Sequence, residues 1–156
     1  MAQTAAKPGT QTLFLSRTFA APRARVFRAW TEPEALKEWW LPAAGFRVPA
    51  VEVDLRAGGA YRIHMENPQG ERFAVAGSYR EVNPPERLVY TWHWEGTQHD
   101  DIGETLVTVE FAERGSSTEV RITHELFPTP AVRDRHGQGW AGCLDTLGDV
   151  VPNLPG

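Results

Sequence analysis

The sequence predicts an α+β fold, in which an antiparallel sheet is covered by a long helix at the C-terminal end. Three observations lead to this fold. Apolar residues alternate with polar ones through six segments between Val51 and Leu126, which is the periodicity of strands. A helical stripe follows Thr129 and Pro130. One strand and two short helical segments precede the alternating region.

The first strand and the two short helices occupy the N-terminal part of the chain. Alternation over Gln11–Ala20 predicts the strand, and Pro22 suits the first position of a helix. Thr31, Pro33 and Glu34 have the spacing of a capping box, so we expect a second helix to begin there. The apolar stripes of the two helices are Val26, Phe27 and Trp30, then Leu36, Trp39 and Trp40.

The six following strands are separated by turn residues, among them Gly58-Gly59, Asn67-Pro68 and Asn83-Pro84-Pro85. Such short gaps predict consecutive antiparallel hairpins, and therefore a meander. The predicted segments are Val51–Leu55, Tyr61–Met65, Phe73–Val82, Leu88–Glu95, Glu104–Phe111 and Thr118–Leu126.

The long terminal helix is predicted to begin with Thr129 as its cap and Pro130 in its first turn. Four glycines, at 137, 139, 142 and 148, interrupt it, and each costs about 1 kcal/mol relative to alanine in a helix interior. Either the helix packs very close to the sheet, or it is loose and can move.

A pocket follows from this arrangement, because one helix cannot lie flush against a curved sheet everywhere. The inward strand faces and the helix would line it with apolar and aromatic side chains and few polar atoms, which suits a small apolar or ring-bearing ligand. Leu88, Val109, Phe111, Val120 and Leu126 would complete its wall. The candidate ligand-binding residues are Tyr61, Ile63, Met65, Tyr90, Trp92, Trp94, Thr105, Val107, Ile122, His124, His136, Trp140, Cys143 and Leu147.

His124 is the most informative of these residues, because it interrupts an otherwise apolar strand face. It is either a core histidine paired with a neighbour such as Tyr90 or Thr105, or a polar anchor or proton carrier in the pocket. If the protein is a cyclase- or hydrolase-type enzyme, His124 and Tyr90, or His136, are its catalytic candidates. The meander offers no inward carboxylate and no nucleophile motif.

The remaining candidates for chemistry have ordinary interpretations. His64 and His93 fall on the solvent face of their strands. The run of His99, Asp100 and Asp101 lacks the spacing of a calcium loop, so we expect a solvated hairpin there. Cys143, the single cysteine, suits a small core position, and we expect neither a metal nor a cofactor.

Composition excludes several classes of function. The net charge of −4, without a basic run, gives no electrostatic case for nucleic acid or anionic lipid. No stretch has the apolar length of a membrane span or a signal peptide, so we expect a cytoplasmic protein. We expect residues 1–10 to form a disordered leader and residues 11–156 one domain. A homodimer is possible, although no sequence feature indicates it.

An ordered series of motifs resembles the SRPBCC superfamily, in particular its heat-shock-protein-90 ATPase activator-like branch. It includes Arg17, Phe19, Ala21-Pro22, Val26-Phe27, Ala29-Trp30-Thr31, Pro33-Glu34, Leu36, Trp39-Trp40, Pro42, Asp54-Leu55-Arg56, Gly58-Gly59, Gly77, Glu81-Val82, Pro84-Pro85-Glu86-Arg87-Leu88, Tyr90-Thr91-Trp92, Glu104–Phe111, Thr118–His124 and Gly139-Trp140.

This resemblance implies a START-like helix-grip fold with a cavity between the sheet and the terminal helix. It implies no single activity, since relatives include lipid and polyketide binders, aromatic-ring cyclases and a chaperone activator. The eukaryotic activator has a further amino-terminal domain that residues 1–10 are too short to replace. We therefore favour a ligand-binding protein over a co-chaperone. An interaction protein would expose an apolar patch, for which Trp39, Trp40 and Leu41 are candidates.

Overall fold

The computed structural model describes residues 9–96 and 102–154, and it has the predicted order of elements. Of the predicted leader at residues 1–10, residues 1–8 lie outside the described residues. The elements are β1 (Gln11–Phe19), α1 (Arg23–Thr31), α2 (Pro33–Trp39), β2 (Arg47–Val53), β3 (Ala60–Glu66), β4 (Arg72–Asn83), β5 (Arg87–Glu95), β6 (Thr105–Arg114), β7 (Ser117–Phe127) and α3 (Pro130–Val150), followed by a 3-10 turn (Val151–Asn153).

The strands form a seven-stranded antiparallel sheet in the order β1-β7-β6-β5-β4-β3-β2. The predicted meander from β2 to β7 is therefore confirmed, with β1 added beside β7. The turns use glycine where the backbone needs a positive φ, as at Gly58 (φ 86°) and Gly115 (φ 63°). Together with α3 across its inner face, the sheet has the helix-grip architecture.

The break between α1 and α2 is confirmed, but the capping box predicted for it is wrong. Thr31 is the last residue of α1, where its hydroxyl donates to the carbonyl oxygen of Phe27 at 3.2 Å. The N-cap of α2 is Glu32, without a side-chain cap bond, and Pro33 follows as the first helical residue. The buried Thr31 hydroxyl is satisfied by its own helix, so it is unavailable to the next one.

Two details of the predicted strands differ in the structure. Leu55, the predicted end of its strand, lies beyond the end of β2 and is 40% exposed. Near the end of β7 the pairing with β1 shifts by one residue, and Leu126 adopts a φ of 77°. The extra residue reverses the alternation, so Phe127 is fully buried in place of Leu126.

Helix α3 begins as predicted, since Thr129 is its N-cap and the Thr129 hydroxyl accepts a hydrogen bond from the Val132 N–H at 3.1 Å. Its glycines allow close packing at one point. A Cβ atom at Gly142 would collide with the carbonyl oxygen of Pro42, in the connection between α2 and β2. The helix is therefore closely packed at Gly142, but against the α2–β2 connection and not against the sheet as the first alternative had it.

The position of α3 determines which part of the inner sheet face is covered and which part is left open. The backbone of α3 lies close to β1, α2 and β7, whereas it meets β5 through the long side chains of His136 and Trp140. An opening on the β3–β5 side of the helix is the geometric consequence. Within the described residues, none of the helices has both the length and the apolar character required to cross a membrane.

Candidate functional site

A cavity of about 680 Å³ lies between α3, the α2–β2 connection and the inner faces of β3 to β5. Six of the fourteen predicted ligand-binding residues line it: Met65, Trp92, Trp94, His136, Trp140 and Cys143. The residues that sequence reasoning did not assign to it are Trp40, Pro42, Phe46, Asn67, Glu71, Arg72, Phe73, Gly96, Arg135 and Gly139.

Three tryptophans form the buried wall of this cavity. The ring centroids of Trp40, Trp92 and Trp140 are 5.5 to 5.6 Å apart in all three pairs. Trp94 continues this surface, with its ring centroid 5.6 Å from that of Trp92. Indole rings in such contact present a large apolar surface, which suits the ring of an aromatic ligand.

Two histidines hold two of these tryptophans. The Trp140 indole N–H donates to Nδ1 of His124 at 3.1 Å, and the Trp94 indole N–H donates to Nε2 of His136 at 3.0 Å. The His136 Nδ1 lies 2.8 Å from the carbonyl oxygen of Val132, which can only accept, so Nδ1 carries the proton. Both imidazoles therefore act as neutral acceptors for a cavity tryptophan.

His124 is also bonded through its other nitrogen. Because Nδ1 accepts from Trp140, a neutral ring carries its proton on Nε2, which lies 2.8 Å from the Thr105 hydroxyl. The Thr105 hydroxyl in turn donates to the carbonyl oxygen of Trp92 at 3.1 Å. The prediction of a core histidine satisfied by Thr105 is confirmed.

The chemistry of His124 follows from this burial. The side chain is fully buried, and desolvation holds its pKa well below the usual 6.5, with the nearby His136 as a smaller cause in the same direction. Both ring nitrogens are engaged by Trp140 and Thr105 inside the core, so neither points to the cavity as a proton donor or acceptor for a ligand. His124 positions Trp140 and does not itself line the cavity.

The other predicted site residues away from the cavity are part of the packed interior. Tyr61, Ile63 and Tyr90 surround a space of only about 10 Å³. The Tyr90 hydroxyl accepts from the Trp30 indole N–H at 3.3 Å, and burial raises the Tyr90 pKa far above its usual range. Thr105, Val107, Ile122 and Leu147 are buried and do not line the cavity either.

Two further histidines were predicted on the solvent face of their strands, and the structure agrees. His64 and His93 are half-buried residues that contact Glu52 and Glu95, each at 3.4 Å. His99, Asp100 and Asp101 lie outside the described residues. Burial raises the pKa of the Cys143 thiol to about 12, so this cavity residue is not a thiolate at neutral pH. Within the described parts of the chain, no His, Cys, Asp and Glu side chains cluster so as to hold a metal ion.

The residues that sequence reasoning missed fall into two kinds. Phe73 shares a strand face with Val75, so the periodicity of β4 could have placed it inward. Trp40 follows α2, and Pro42 and Phe46 belong to the irregular connection after it, where no periodicity indicates a direction. Their place in the wall depends on how this connection packs against α3.

Comparison with known proteins assigns the chain to a family. A family described as "Activator of Hsp90 ATPase homolog 1-like protein" matches residues 20–151. The chain belongs to this family. Its fold and its ordered motifs, from α1 to the end of α3, are therefore those of the heat-shock-protein-90 ATPase activator-like branch, as the sequence resemblance implied. No curated protein matches the chain.

Solved structures of relatives have the same fold. Protein CV1439 from Chromobacterium violaceum is 31% identical, with a TM-score of 0.80, over 90% of this chain and 96% of that one. Protein NE0264 from Nitrosomonas europaea is 27% identical, with a TM-score of 0.76 over 91% and 94% of the two chains. The AHSA1 protein from Silicibacter pomeroyi is 26% identical, with a TM-score of 0.80 over 91% and 98%.

The apolar patch that an interaction protein of this family would need is not formed by α2. Trp39 is fully buried and donates its indole N–H to the carbonyl oxygen of Ala29 at 2.8 Å. Trp40 is 3% exposed and belongs to the cavity wall, and Leu41 is only partly exposed. The two tryptophans are therefore packed in the interior and do not form an exposed patch. Among the described residues, the exposed large hydrophobic side chains are Phe14 and Leu55, on separate elements.

Proposed function

We propose that this family member binds a small apolar or aromatic molecule in the cavity beside α3. The observation that carries the proposal is a space of about 680 Å³ with Trp40, Trp92 and Trp140 in its buried wall. Small-molecule pockets commonly occupy roughly 300–1,000 Å³ and combine apolar walls with a few polar groups. The volume and the lining both lie within that description.

An unpaired donor gives the proposal further support. The indole N–H of Trp92 is buried and has no hydrogen-bond partner among the described residues, although most buried polar groups have one. The indoles of Trp94 and Trp140, in the same wall, both have histidine acceptors. One polar group of the wall thus lacks the hydrogen bond that it would have in a closed core. This is expected beside a space that a ligand occupies.

Catalysis in this cavity has weaker support. The candidate pair of His124 and Tyr90 is separated into two hydrogen-bonded groups, one with Trp140 and Thr105 and the other with Trp30. His136 does line the cavity, but its Nε2 accepts from Trp94 and its Nδ1 donates to the backbone. Binding therefore remains the function that the geometry supports best.

A variant that fills the cavity tests this proposal. Gly139 lines the cavity, and a Cβ atom built there meets only Pro42 Cβ, at an ordinary 3.8 Å. Gly139→Leu should therefore fold, gain about 1 kcal/mol of helix propensity and occupy the space. Gly148 lies on the same helix, away from the cavity, with Phe19 Cε1 3.9 Å from its Cβ position, so Gly148→Leu is the matched control.

The measurement is a titration with phenylnaphthylamine, an uncharged aromatic dye, followed by dye and tryptophan fluorescence. We expect saturable binding to the wild type and to Gly148→Leu, and an affinity lower by about tenfold or more in Gly139→Leu. Circular dichroism should give the same fold for all three proteins. Equal affinity in Gly139→Leu and Gly148→Leu, or no saturable binding at all, would contradict the proposal.

A further inference from the structure

Polarity changes from the inner end of the cavity to its opening. The inner end consists of buried residues, among them Trp40, Met65, Trp92, Trp140 and Cys143. The charged lining residues are all exposed, and they form a rim of Glu71, Arg72 and Arg135. A molecule that fills this space would thus have an apolar body inside and meet charge only at the opening.

The charged side chains of the rim differ in whether they have hydrogen-bond or ion-pair partners. The Glu71 carboxylate accepts from the Asn67 side-chain amide at 2.7 Å, and Arg72 Nε donates to Glu66 Oε1 at 2.9 Å. Glu66 also accepts from Arg47 at 3.2 Å, so one carboxylate there faces two guanidinium groups. Arg135 has neither an ion pair nor a side-chain hydrogen bond among the described residues.

The sign of the opening follows from these pairings. Arg47, Glu66 and Arg72 together carry one net positive charge, which roughly offsets that of Glu71. Among the described residues, Arg135 then remains as an uncompensated cation beside an aromatic cavity. Guanidinium groups bind carboxylate and sulfonate oxygens through charge-assisted hydrogen bonds, which are stronger than those between neutral groups.

We propose that the ligand is an aromatic anion, with its rings against Trp40, Trp92 and Trp140 and its acidic group beside Arg135. This inference rests on the proposed function, and it adds the class of ligand. The buried tryptophans supply most of the affinity for the ring system, because burial of apolar surface is the larger contribution. Arg135 supplies the preference for a negative charge.

Two dyes with one ring system test the charge separately from the rings. Anilinonaphthalene sulfonate has the same skeleton as phenylnaphthylamine and adds a sulfonate. We expect the sulfonate dye to bind the wild type about threefold to tenfold more tightly at low salt, since a solvent-exposed ionic contact contributes modestly. The preference should shrink between about 0.01 M and about 1 M salt, because screening weakens exposed charges.

Arg135→Gln is the deciding variant, with Arg121→Gln, an exposed arginine outside the cavity lining, as its control. Arg135→Gln should lose the preference for the sulfonate dye and keep its affinity for phenylnaphthylamine, whereas Arg121→Gln should change neither. If the uncharged dye binds as tightly as the sulfonate dye, or if Arg135→Gln retains the preference, the inference is overturned while the proposed function stands. If neither dye binds saturably, the proposed function fails with it.

Discussion

The indole N–H of Trp140 donates to Nδ1 of His124 at 3.1 Å, inside the core and next to the cavity. The Trp140 ring lines the cavity and its polar edge is held by a residue that does not. The same arrangement recurs at Trp94, which also lines the cavity and donates its indole N–H to His136. His124 and His136 thus act as supports for the aromatic wall, and several measurable consequences follow.

Replacement of His124 by leucine should destabilise the protein, and by more than replacement of a partly exposed histidine. The change leaves the Trp140 N–H without its acceptor in a buried site, and an unsatisfied buried donor costs about 1–3 kcal/mol. The free energy of unfolding, from urea titrations followed by tryptophan fluorescence, should fall by that amount. His64→Ala, on a partly exposed residue, should change it by less than about 0.5 kcal/mol. Equal effects of the two changes would contradict the structural role of His124.

The stability should depend on pH through His124. Burial lowers its pKa well below 6.5 in the folded state, while the unfolded chain takes up this proton near pH 6.5. Below that pH the unfolded state binds more protons than the folded state. The contribution of neutral His124 to the free energy of unfolding is therefore complete above about pH 6.5. It decreases as the pH falls, by up to about 1.4 kcal/mol per pH unit.

His124→Gln cannot take up this proton and should lose that part of the pH dependence. Urea titrations at several pH values between about 5 and about 7.5 measure it, above the range in which Asp and Glu protonate. We expect the difference in stability between the wild type and His124→Gln to narrow toward low pH. A difference that stays constant across the range would show that His124 titrates alike in the folded and unfolded states.

Tyr90→Phe separates packing from ligand contact. The Trp30 indole N–H loses its acceptor, which should lower the free energy of unfolding by about 1–3 kcal/mol. Tyr90 does not line the cavity, so the affinity for phenylnaphthylamine should stay that of the wild type. A large loss of affinity with unchanged stability would place Tyr90 in the ligand site after all.

Gly142→Ala should destabilise the protein although alanine is the better helix former. Its Cβ would collide with the backbone oxygen of Pro42, so the helix or the α2–β2 connection must move. Gly148→Ala meets only Phe19 Cε1 at 3.9 Å and should gain up to about 1 kcal/mol. Thermal unfolding of the two variants should therefore shift in opposite directions, and a higher melting temperature for Gly142→Ala would contradict the close contact.

The sequence predicted the elements whose signals are local. Alternation predicted every strand, and Thr129 with Pro130 predicted the start of α3. The phase of β7 also placed His124 inside the core, with Thr105 named as a neighbour that could pair with it. These features depend on residues a few positions apart, or on adjacent strands of a meander.

The location of the cavity could not be predicted in the same way. Periodicity showed that Tyr61 and Met65 face inward, but only Met65 reaches the cavity, because α1 and α2 cover the other end of β3. The wall of the cavity also includes the α2–β2 connection, where the backbone of Pro42 lies against Gly142 of α3. A contact between residues a hundred positions apart leaves no periodic pattern in the sequence. The bulge that buries Phe127 in place of Leu126 leaves none either.

A crystal structure of the protein with bound phenylnaphthylamine tests the central claim most directly. The account predicts electron density for the dye between Trp92 and Trp140, with the side chains of His124 and His136 still bonded to Trp140 and Trp94. Density for the dye at another surface, or a space between α3 and β5 closed by the side chains of Trp40, Trp92 and Trp140, would contradict it.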